Sequence, residues 1–407
     1  MVELRTTDAS LVGDPISVRV TGLPPDVDVV LFSQLVDRSG RLWVSESTFR
    51  SSAEGTVDPA RQTPIDDAWE GIDALGPFWS PLRKTKAGAH PEPADGHAER
   101  TAISALVDKR AVATAAVTRW YRSPEVEEVP VPDDTLAARM FVKRGDDRRS
   151  AVIVVPGSGG GVPAGTAEQL ASHGHASLAL GYFGEPQTVS ELESVPLEYF
   201  DRAIEFLKAH PRVDPRRIAI LGGSKGGELS LLLASRRDDI RAVVAAVPSS
   251  VVFQSIADGW PRTSSWSVDG EDLPFVPYVI SNRFRESGRL SLLYEDSLEN
   301  EDAVARATIP VDRIAGSILL VSGRDDWMWP ATRMCDDIVA RLKEAQFPHE
   351  VTHLAYDDVG HEVLTAGFRP VSWSRRVGGT RQGHAAAQAD AWKRTLEFLA
   401  RNLAAAN

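Results

Sequence analysis

The 407-residue sequence predicts an α/β protein in two parts, an antiparallel β-sandwich domain followed by a larger domain built on a parallel sheet. Up to about residue 140, short segments that alternate apolar and polar residues, such as 16–20, are separated by turn-rich pieces. From about residue 150, apolar strand-like runs alternate with helix-like segments, as in parallel sheets. Residues 124–134 are rich in Pro, Glu and Asp and form the candidate linker. We therefore predict a domain over residues 1–134 and a second over 135–407.

The individual elements follow from local patterns. The run 151–155 is continuously apolar, as expected for a strand buried on both faces. Residues 249–305 and 362–383 interrupt the alternation with aromatic side chains, and excursions from the carboxyl ends of parallel strands usually build a substrate pocket. The further predicted strands are 16–20, 29–35, 42–44, 113–121, 137–142, 176–180, 217–221, 240–247, 317–321 and 350–354, and the predicted helices are 167–174, 197–210 and 388–402.

Charge and cysteine content exclude several classes of function. A net charge of −12 argues against a broad nucleic-acid-binding surface, although it is compatible with a small basic cleft entrance for a phosphorylated ligand. The single cysteine excludes an internal disulfide framework and indicates a reducing compartment. No signal peptide, membrane-spanning run or cluster of metal ligands is evident. We expect a cytoplasmic protein without nucleic-acid or membrane partners.

A G-x-S-x-G pentapeptide at residues 222–226 follows the strand-like run 217–221 and precedes a helix-like run. A serine hydroxyl is a poor nucleophile, so enzymes present it on a tight strand-to-helix turn where a base reaches Oγ and helix amides face the oxyanion. Glycines around Ser224 permit the strained backbone of such a turn. We predict that Ser224 is a catalytic nucleophile rather than a structural turn residue.

The partners of Ser224 are expected downstream, because α/β-hydrolases place the nucleophile, the acid and the histidine in that order along the chain. Asp326 follows the predicted strand 317–321 and suits the acid, with its neighbour Asp325 as an open alternative. His361 comes last in the order, after a glycine that lets its loop turn sharply, and His384 is its one serious rival. The order supports an α/β-hydrolase with Ser224, Asp326 and His361 as its triad.

Two backbone amides are expected to bind the oxyanion, that of Lys225 and one from the glycine-rich loop 156–161, which we assign to Gly159. The same loop also matches the dinucleotide fingerprint G-x-G-x-x-A, with Glu185 in the place of the ribose acid. Pro163 at the start of the following helix and the downstream triad favour the oxyanion interpretation. We therefore expect no cofactor.

The motif around Ser224 extends beyond the pentapeptide. Residues 221–228, Leu-Gly-Gly-Ser-Lys-Gly-Gly-Glu, resemble the G-x-S/C-K-G-G-E signature of the family that unites type I acyl-CoA thioesterases with bile acid-CoA:amino acid N-acyltransferase. Residues 69–80 are similar to the G-x-D-x-M-G-L-x-W-S stretch of that family, and residues 273–278 and 383–387 are similar to its central insertion and its C-terminal helix. At 327–329 this chain has Trp-Met-Trp where the family often has His-Asn-Trp.

The resemblance spans nearly the whole chain and implies a β-sandwich on an α/β-hydrolase domain. It implies an enzyme that hydrolyses an acyl thioester, delivered by CoA or a carrier, through an acyl-serine and without metal or redox cofactor. Amino-acid-conjugating members carry cysteine at the position of Ser224, so the serine favours hydrolysis. The alternative is an acyltransferase or cyclising esterase that passes the acyl group to an amine or alcohol in specialised metabolism. The acyl chain and the oligomeric state stay open.

Overall fold

The computed structural model describes residues 1–37, 40–84, 96–365, 371 and 373–405, and the chain forms two compact units. The first unit comprises Met1–Ser123 and Ala366–Trp373, and the second comprises Pro124–Thr365 and Ser374–Asn407. Residues 366–370 and 372, within the predicted aromatic excursion at 362–383, lie outside the described residues. No helix in the described ranges is long and apolar enough to cross a membrane.

The first unit is built from β-structure, as predicted. Its six-stranded sheet has the order β2-β8-β7-β4-β5-β6, with antiparallel neighbours except for the parallel pair β2–β8, and β1 and β3 form a separate two-stranded sheet. Along β4, Val29, Leu31 and Leu35 are fully buried and alternate with partly exposed residues, so the strand presents one face to a core. The elements are β1 (Glu3–Thr6), β2 (Ala9–Leu11), β3 (Val18–Thr21), β4 (Asp28–Val36), β5 (Leu42–Arg50), α1 (Gly76–Trp79), β6 (Leu82–Arg83), β7 (Ala98–Val107) and β8 (Arg110–Trp120).

The second unit contains an eight-stranded sheet flanked by helices. The strand order is β19-β18-β15-β14-β11-β12-β10-β9; neighbours from β19 to β12 are parallel, and β10 and β9 are antiparallel to their neighbours. The elements are β9 (Val126–Val129), β10 (Ala138–Lys143), β11 (Arg149–Val155), α2 (Ala164–Ser172), β12 (Ala176–Leu180), β13 (Val195–Pro196), α3 (Glu198–Ala209), β14 (Val213–Gly223), α4 (Lys225–Ala234), β15 (Ile240–Ala246), β16 (Trp266–Val268), β17 (Glu271–Asp272), α5 (Asn282–Ser287), α6 (Leu290–Ser297), α7 (Glu301–Ala307), β18 (Ser317–Gly323), α8 (Ala331–Glu344), β19 (Val351–Tyr356) and α9 (Arg381–Asn402), with 3₁₀ turns at Val311–Arg313 and Arg375–Val377.

The division between the units falls before the expected boundary at residue 134. The segment predicted to be a linker contains β9, which pairs with β10 at the edge of the eight-stranded sheet. Backbone hydrogen bonds to this sheet therefore assign residues from Pro124 onward to the second unit. The predicted strand 137–142 belongs there too, as β10.

The last helix begins earlier than its predicted start at residue 388. The Thr380 side chain accepts a hydrogen bond from the amide of Gly383 and caps a helix that starts at Arg381. His384 therefore lies in the first turn of α9, where it is almost fully buried.

Parallel strands bring their carboxyl ends to one edge of the sheet. The turns after β11, β14, β18 and β19 therefore meet at this edge, although they are distant in sequence. They carry the glycine-rich loop, Ser224, Asp326 and His361, respectively.

Candidate active site

Ser224 lies in the tight turn between β14 and α4. Its backbone has φ 58° and ψ −123°, a region that side-chain-bearing residues rarely adopt. The turn closes only with small neighbours, because a Cβ on Gly226 would lie 2.4 Å from the carbonyl oxygen of Pro156 and one on Gly222 would lie 2.2 Å from that of Gly226. The predicted strand–turn–helix context is confirmed, and Ser224 is held at the amino end of a buried helix.

Ser224, His361 and Asp326 form a continuous hydrogen-bonded chain. Ser224 Oγ lies 2.9 Å from His361 Nε2, and His361 Nδ1 lies 2.8 Å from Asp326 Oδ2. Asp326 is 5% exposed, whereas Ser224 and His361 are partly exposed. A carboxylate can only accept, so Nδ1 carries the proton and Nε2 is left to accept from the serine hydroxyl. This is the arrangement in which a histidine can remove a proton from serine.

The second oxygen of Asp326 explains how the carboxylate is oriented. Asp326 Oδ1 accepts hydrogen bonds from the backbone amides of Met328, at 2.8 Å, and Trp329, at 3.3 Å. The Trp329 indole is itself anchored by donating to the carbonyl of Val247 at 3.0 Å. The loop after β18 therefore directs the other oxygen, Oδ2, at the imidazole of His361.

The alternative acid, Asp325, contacts other groups. Its carboxylate accepts from the indole Nε1 of Trp327 at 2.8 Å and from the amide of Gly379 at 2.8 Å. Both of its oxygens are therefore used to join the loop after β18 to the segment before α9. The geometry places Asp326, not Asp325, against the histidine.

The rival histidine, His384, supports the loop that carries His361. Its Nε2 accepts from the amide of Gly360 at 3.1 Å, and its Nδ1 lies 3.4 Å from the carbonyl of Thr380. Burial lowers the pKa of His384, which favours the neutral form that such an accepting nitrogen requires. Apart from the position of His384 in the family-like stretch 383–387, nothing in the sequence indicated that it supports the loop of His361.

Of the two residues predicted to bind the oxyanion, Lys225 lies beside Ser224 and Gly159 lies off the cavity wall. The Lys225 amide lies in the first turn of α4, directly after Ser224, where backbone amides have no partner within the helix. In the glycine-rich loop, a Cβ on Gly157 would lie 3.3 Å from Ser224 Cβ, and Ser158 lines the cavity beside the serine, whereas Gly159 is exposed and does not line it. The loop faces the serine turn as expected, with Gly157 against Ser224 and Ser158 on the cavity wall.

A buried ion pair underlies the serine turn. Lys225 Nζ lies 2.6 Å from Glu228 Oε1, which also accepts from the indole Nε1 of Trp266 at 2.7 Å. Burial raises the pKa of Glu228 and lowers the pKa of Lys225, and the attraction between the two charges opposes both shifts. The Lys and Glu of the extended motif thus form an ion pair inside the protein. The sequence alone did not predict this contact.

The serine opens into a cavity of about 420 Å³ with largely apolar walls. Most of the lining comes from the excursion at 249–305, the stretch expected to form a pocket. Tyr294 lies at the centre of an aromatic cluster, with ring centroids 4.9 Å from Phe253, 5.3 Å from Trp329 and 5.4 Å from Tyr278. The lining residues are Ser158, Glu191, Ser224, Lys225, Ser255, Ile256, Ala257, Asp258, Trp260, Tyr278, Leu290, Leu293, Tyr294, Met328, Trp329 and His361.

The eight-stranded sheet, the serine turn after β14, and the acid and histidine after β18 and β19 define an α/β-hydrolase. The chain belongs to the BAAT/acyl-CoA thioester hydrolase family: the model of its C-terminal part matches residues 195–405, and that of its N-terminal region matches residues 13–133. The protein is thus an enzyme of the acyl-CoA thioesterase and acyltransferase type.

Similar proteins extend over the full length of the chain. Bile acid-CoA:amino acid N-acyltransferase of Mus musculus is 29% identical over 418 residues, which cover 97% of this chain and 96% of that protein. Acyl-coenzyme A thioesterase 1 of Mus musculus is 28% identical over 422 residues, 99% of this chain and 96% of that protein. Among solved structures, a puromycin-hydrolysing peptidase of Mycobacterium tuberculosis aligns with a TM-score of 0.46 and 16% identity, over 94% of this chain and 54% of that chain.

Proposed function

We propose that this protein hydrolyses an acyl-CoA thioester through an acyl-serine intermediate. The observation that carries the proposal is the hydrogen-bonded chain from Ser224 through His361 to Asp326, which opens into an apolar cavity. Relatives over the full chain are named as acyl-coenzyme A thioesterases, which supports a thioester as the bond attacked. The cavity is large enough for an acyl chain, and its aromatic walls suit an apolar one.

Acylation is the first half of the reaction. His361 Nε2 takes the proton of the Ser224 hydroxyl as Oγ attacks the thioester carbonyl carbon, and the Asp326 carboxylate stabilises the imidazolium that forms. The oxyanion is bound by the amide of Lys225 and by a second amide of the loop after β11. There we propose Ser158 in addition to Gly159, because Ser158 lines the cavity. His361 then protonates the sulfur as the C–S bond breaks, and the free thiol leaves.

Deacylation repeats the steps with water. His361 removes a proton from a water molecule, whose oxygen attacks the acyl carbon, and the proton passes to Ser224 Oγ as the ester bond breaks. The products are a carboxylic acid and the regenerated serine. Every proton transfer passes through one nitrogen, His361 Nε2, which lies 2.9 Å from Ser224 Oγ.

The variant Ser224→Ala tests the mechanism. We expect kcat for acyl-CoA hydrolysis to fall by roughly 10⁴-fold or more while the melting temperature changes little. Intact-protein mass spectrometry after mixing wild type with acyl-CoA should show one added acyl group, which is absent from Ser224→Ala. A variant that keeps wild-type turnover, or a wild-type acyl group located on another residue, would refute the assignment of Ser224.

The acyl acceptor is tested by product analysis. A relative named as an N-acyltransferase favours an amine as the second candidate acceptor. Incubation of acyl-CoA with a panel of amino acids, amines and alcohols should yield the free acid as the main product under this proposal. An amide or ester as the main product would instead establish the acyltransferase. The cytoplasmic location stays a prediction.

A further inference from the structure

A second cavity of about 650 Å³ adjoins the catalytic one in the same unit. The two cavities share the side chains of Leu290 and Met328 as a common wall. The second one, which we call the arginine cleft, is further lined by Trp327 and by Arg289, Arg375 and Arg376. The side chains of three arginines thus line a cleft that shares this wall with the serine cavity.

No carboxylate among the described residues neutralises the charges of these arginines. Across the described part of the chain, none of the three forms an ion pair with a carboxylate. By contrast, Arg237 of the same unit contacts the carboxylates of Asp201, Glu205 and Asp239. In a protein of net charge −12, three neighbouring unpaired guanidinium groups indicate a place that attracts an anion.

The arginine cleft is also held in shape. The guanidinium carbons of Arg289 and Arg375 lie 5.0 and 5.6 Å from the ring centroid of Trp327, within cation–π range. Asp325 fixes the Trp327 indole and the amide of Gly379, as described above. The arginines therefore lose less side-chain freedom on binding a ligand than free surface arginines would.

We propose that the arginine cleft binds the phosphate groups of the nucleotide part of a CoA thioester. The proposal rests on the proposed function, which places the thioester carbonyl at Ser224. The acyl chain then occupies the aromatic cavity, the pantetheine arm passes the wall formed by Leu290 and Met328, and the phosphates reach the arginines. Arginine forks bind phosphate oxygens in pairs, and CoA offers a pyrophosphate and a 3′-phosphate. Three arginines match this set better than the single phosphodiester of a carrier-bound pantetheine.

Direct binding tests the arginine cleft independently of catalysis. Calorimetry with adenosine 3′,5′-bisphosphate should give saturable binding to the wild type and a Kd raised roughly tenfold or more in Arg375→Gln/Arg376→Gln. Arg289→Gln serves as a second variant from another segment. Arg285→Gln, an exposed arginine of α5 outside the cleft, is the matched control and should leave the Kd unchanged.

Kinetics identify the part of the substrate that the cleft holds. For acyl-CoA, the double arginine variant should raise KM roughly tenfold with kcat within about threefold, and added salt should raise the wild-type KM. For the same acyl group on pantetheine, which lacks the nucleotide, variant and wild type should not differ. Equal KM values of wild type and double variant for acyl-CoA would overturn the proposal. The proposal would also be overturned if the wild type had equal KM values for acyl-CoA and acyl-pantetheine and preferred the acyl group on a carrier protein.

The two proposals fail in different ways. If the bisphosphate binds through the arginines but no thioester is hydrolysed, the proposed function is wrong and the nucleotide site stands. If acyl-CoA is hydrolysed and the arginine variants bind and react like wild type, the cleft assignment is wrong and the function stands. Melting temperatures of all variants within a few degrees of wild type verify that these side chains were changed without unfolding the protein.

Discussion

Replacing Asp326 by asparagine should disable the enzyme through the tautomer of His361 rather than through loss of fold. Asp326 Oδ1 accepts from the amides of Met328 and Trp329. In the Asp326→Asn variant, the carbonyl oxygen of the amide must stay on these donors, because an NH₂ group there would face two N–H groups. The NH₂ is thereby directed at His361 Nδ1, which lies 2.8 Å from the present carboxylate oxygen.

A donor facing Nδ1 forces that nitrogen to accept, so the imidazole proton moves to Nε2. His361 Nε2 then donates toward Ser224 Oγ and can no longer take its proton. A histidine in the wrong tautomer costs about 10⁴-fold in kcat, which corresponds to about 5.4 kcal/mol of transition-state stabilisation. The backbone hydrogen bonds of the loop survive, so the melting temperature should fall only slightly.

Asp325→Asn is the matched control, since it makes the same chemical change one residue away. Its carboxylate accepts from Trp327 Nε1 and Gly379 N, and an amide can accept from only one of them. We expect a destabilisation of about 1–3 kcal/mol with kcat within about tenfold of wild type.

The assay is kcat with a saturating acyl-CoA, together with thermal unfolding, for both variants. The expected pattern is a crossover: Asp326→Asn loses activity and keeps stability, and Asp325→Asn does the reverse. An Asp326→Asn enzyme with kcat within tenfold of wild type, or an equal loss of kcat in both variants, would refute the tautomer argument.

Two further predictions concern stability. Because burial lowers the pKa of His175 to about 4, the unfolded state binds more protons between pH 6.5 and 4, so the free energy of unfolding should fall by roughly 3 kcal/mol across this window. Urea titrations at several pH values should give a flatter dependence for His175→Leu; an unchanged slope contradicts the assignment. Glu228→Gln leaves the buried Lys225 without its counter-charge, and we expect a loss of roughly 3–5 kcal/mol in the same assay. The double variant Lys225→Met/Glu228→Gln should lose less than Glu228→Gln alone, and a larger loss would argue against the ion pair.

The hydrogen-bonded arrangement of Ser224, His361 and Asp326 was predictable because its evidence lies in chain order and local context. A serine between glycines at a strand-to-helix junction, an acid after β18 and a histidine after β19 are each local patterns, and parallel strands bring them to one edge. The sequence favoured Asp326 but left Asp325 open. Adjacent residues share the same sequence context, and only the amides of Met328 and Trp329 decide which carboxylate turns toward His361.

Loop conformation limited the remaining predictions. In the glycine-rich loop, Ser158 lines the cavity and Gly159 does not, and the next two residues, Gly160 and Gly161, adopt positive φ angles of 64° and 79°. Hydrophobic periodicity does not predict such a loop conformation. The arginine cleft was equally hidden, since Arg289 lies far from Arg375 in sequence and the two meet only at Trp327.

Residues 327 and 328 lie between the loop that carries Asp326 and the two cavities. They replace the His-Asn that the family often has there, yet the acid is undisturbed, because Asp326 Oδ1 is held by the backbone amides of residues 328 and 329 and not by their side chains. The two side chains instead form walls: Trp327 holds the arginines of the arginine cleft, and Met328 separates that cleft from the serine cavity. Under the proposed function, we therefore expect substitution here to change which thioester is bound without changing how it is cleaved. Trp327→His/Met328→Asn should accordingly alter KM across acyl-CoA substrates and leave kcat for the best of them nearly constant; a collapse of kcat would mean that these side chains also support the acid.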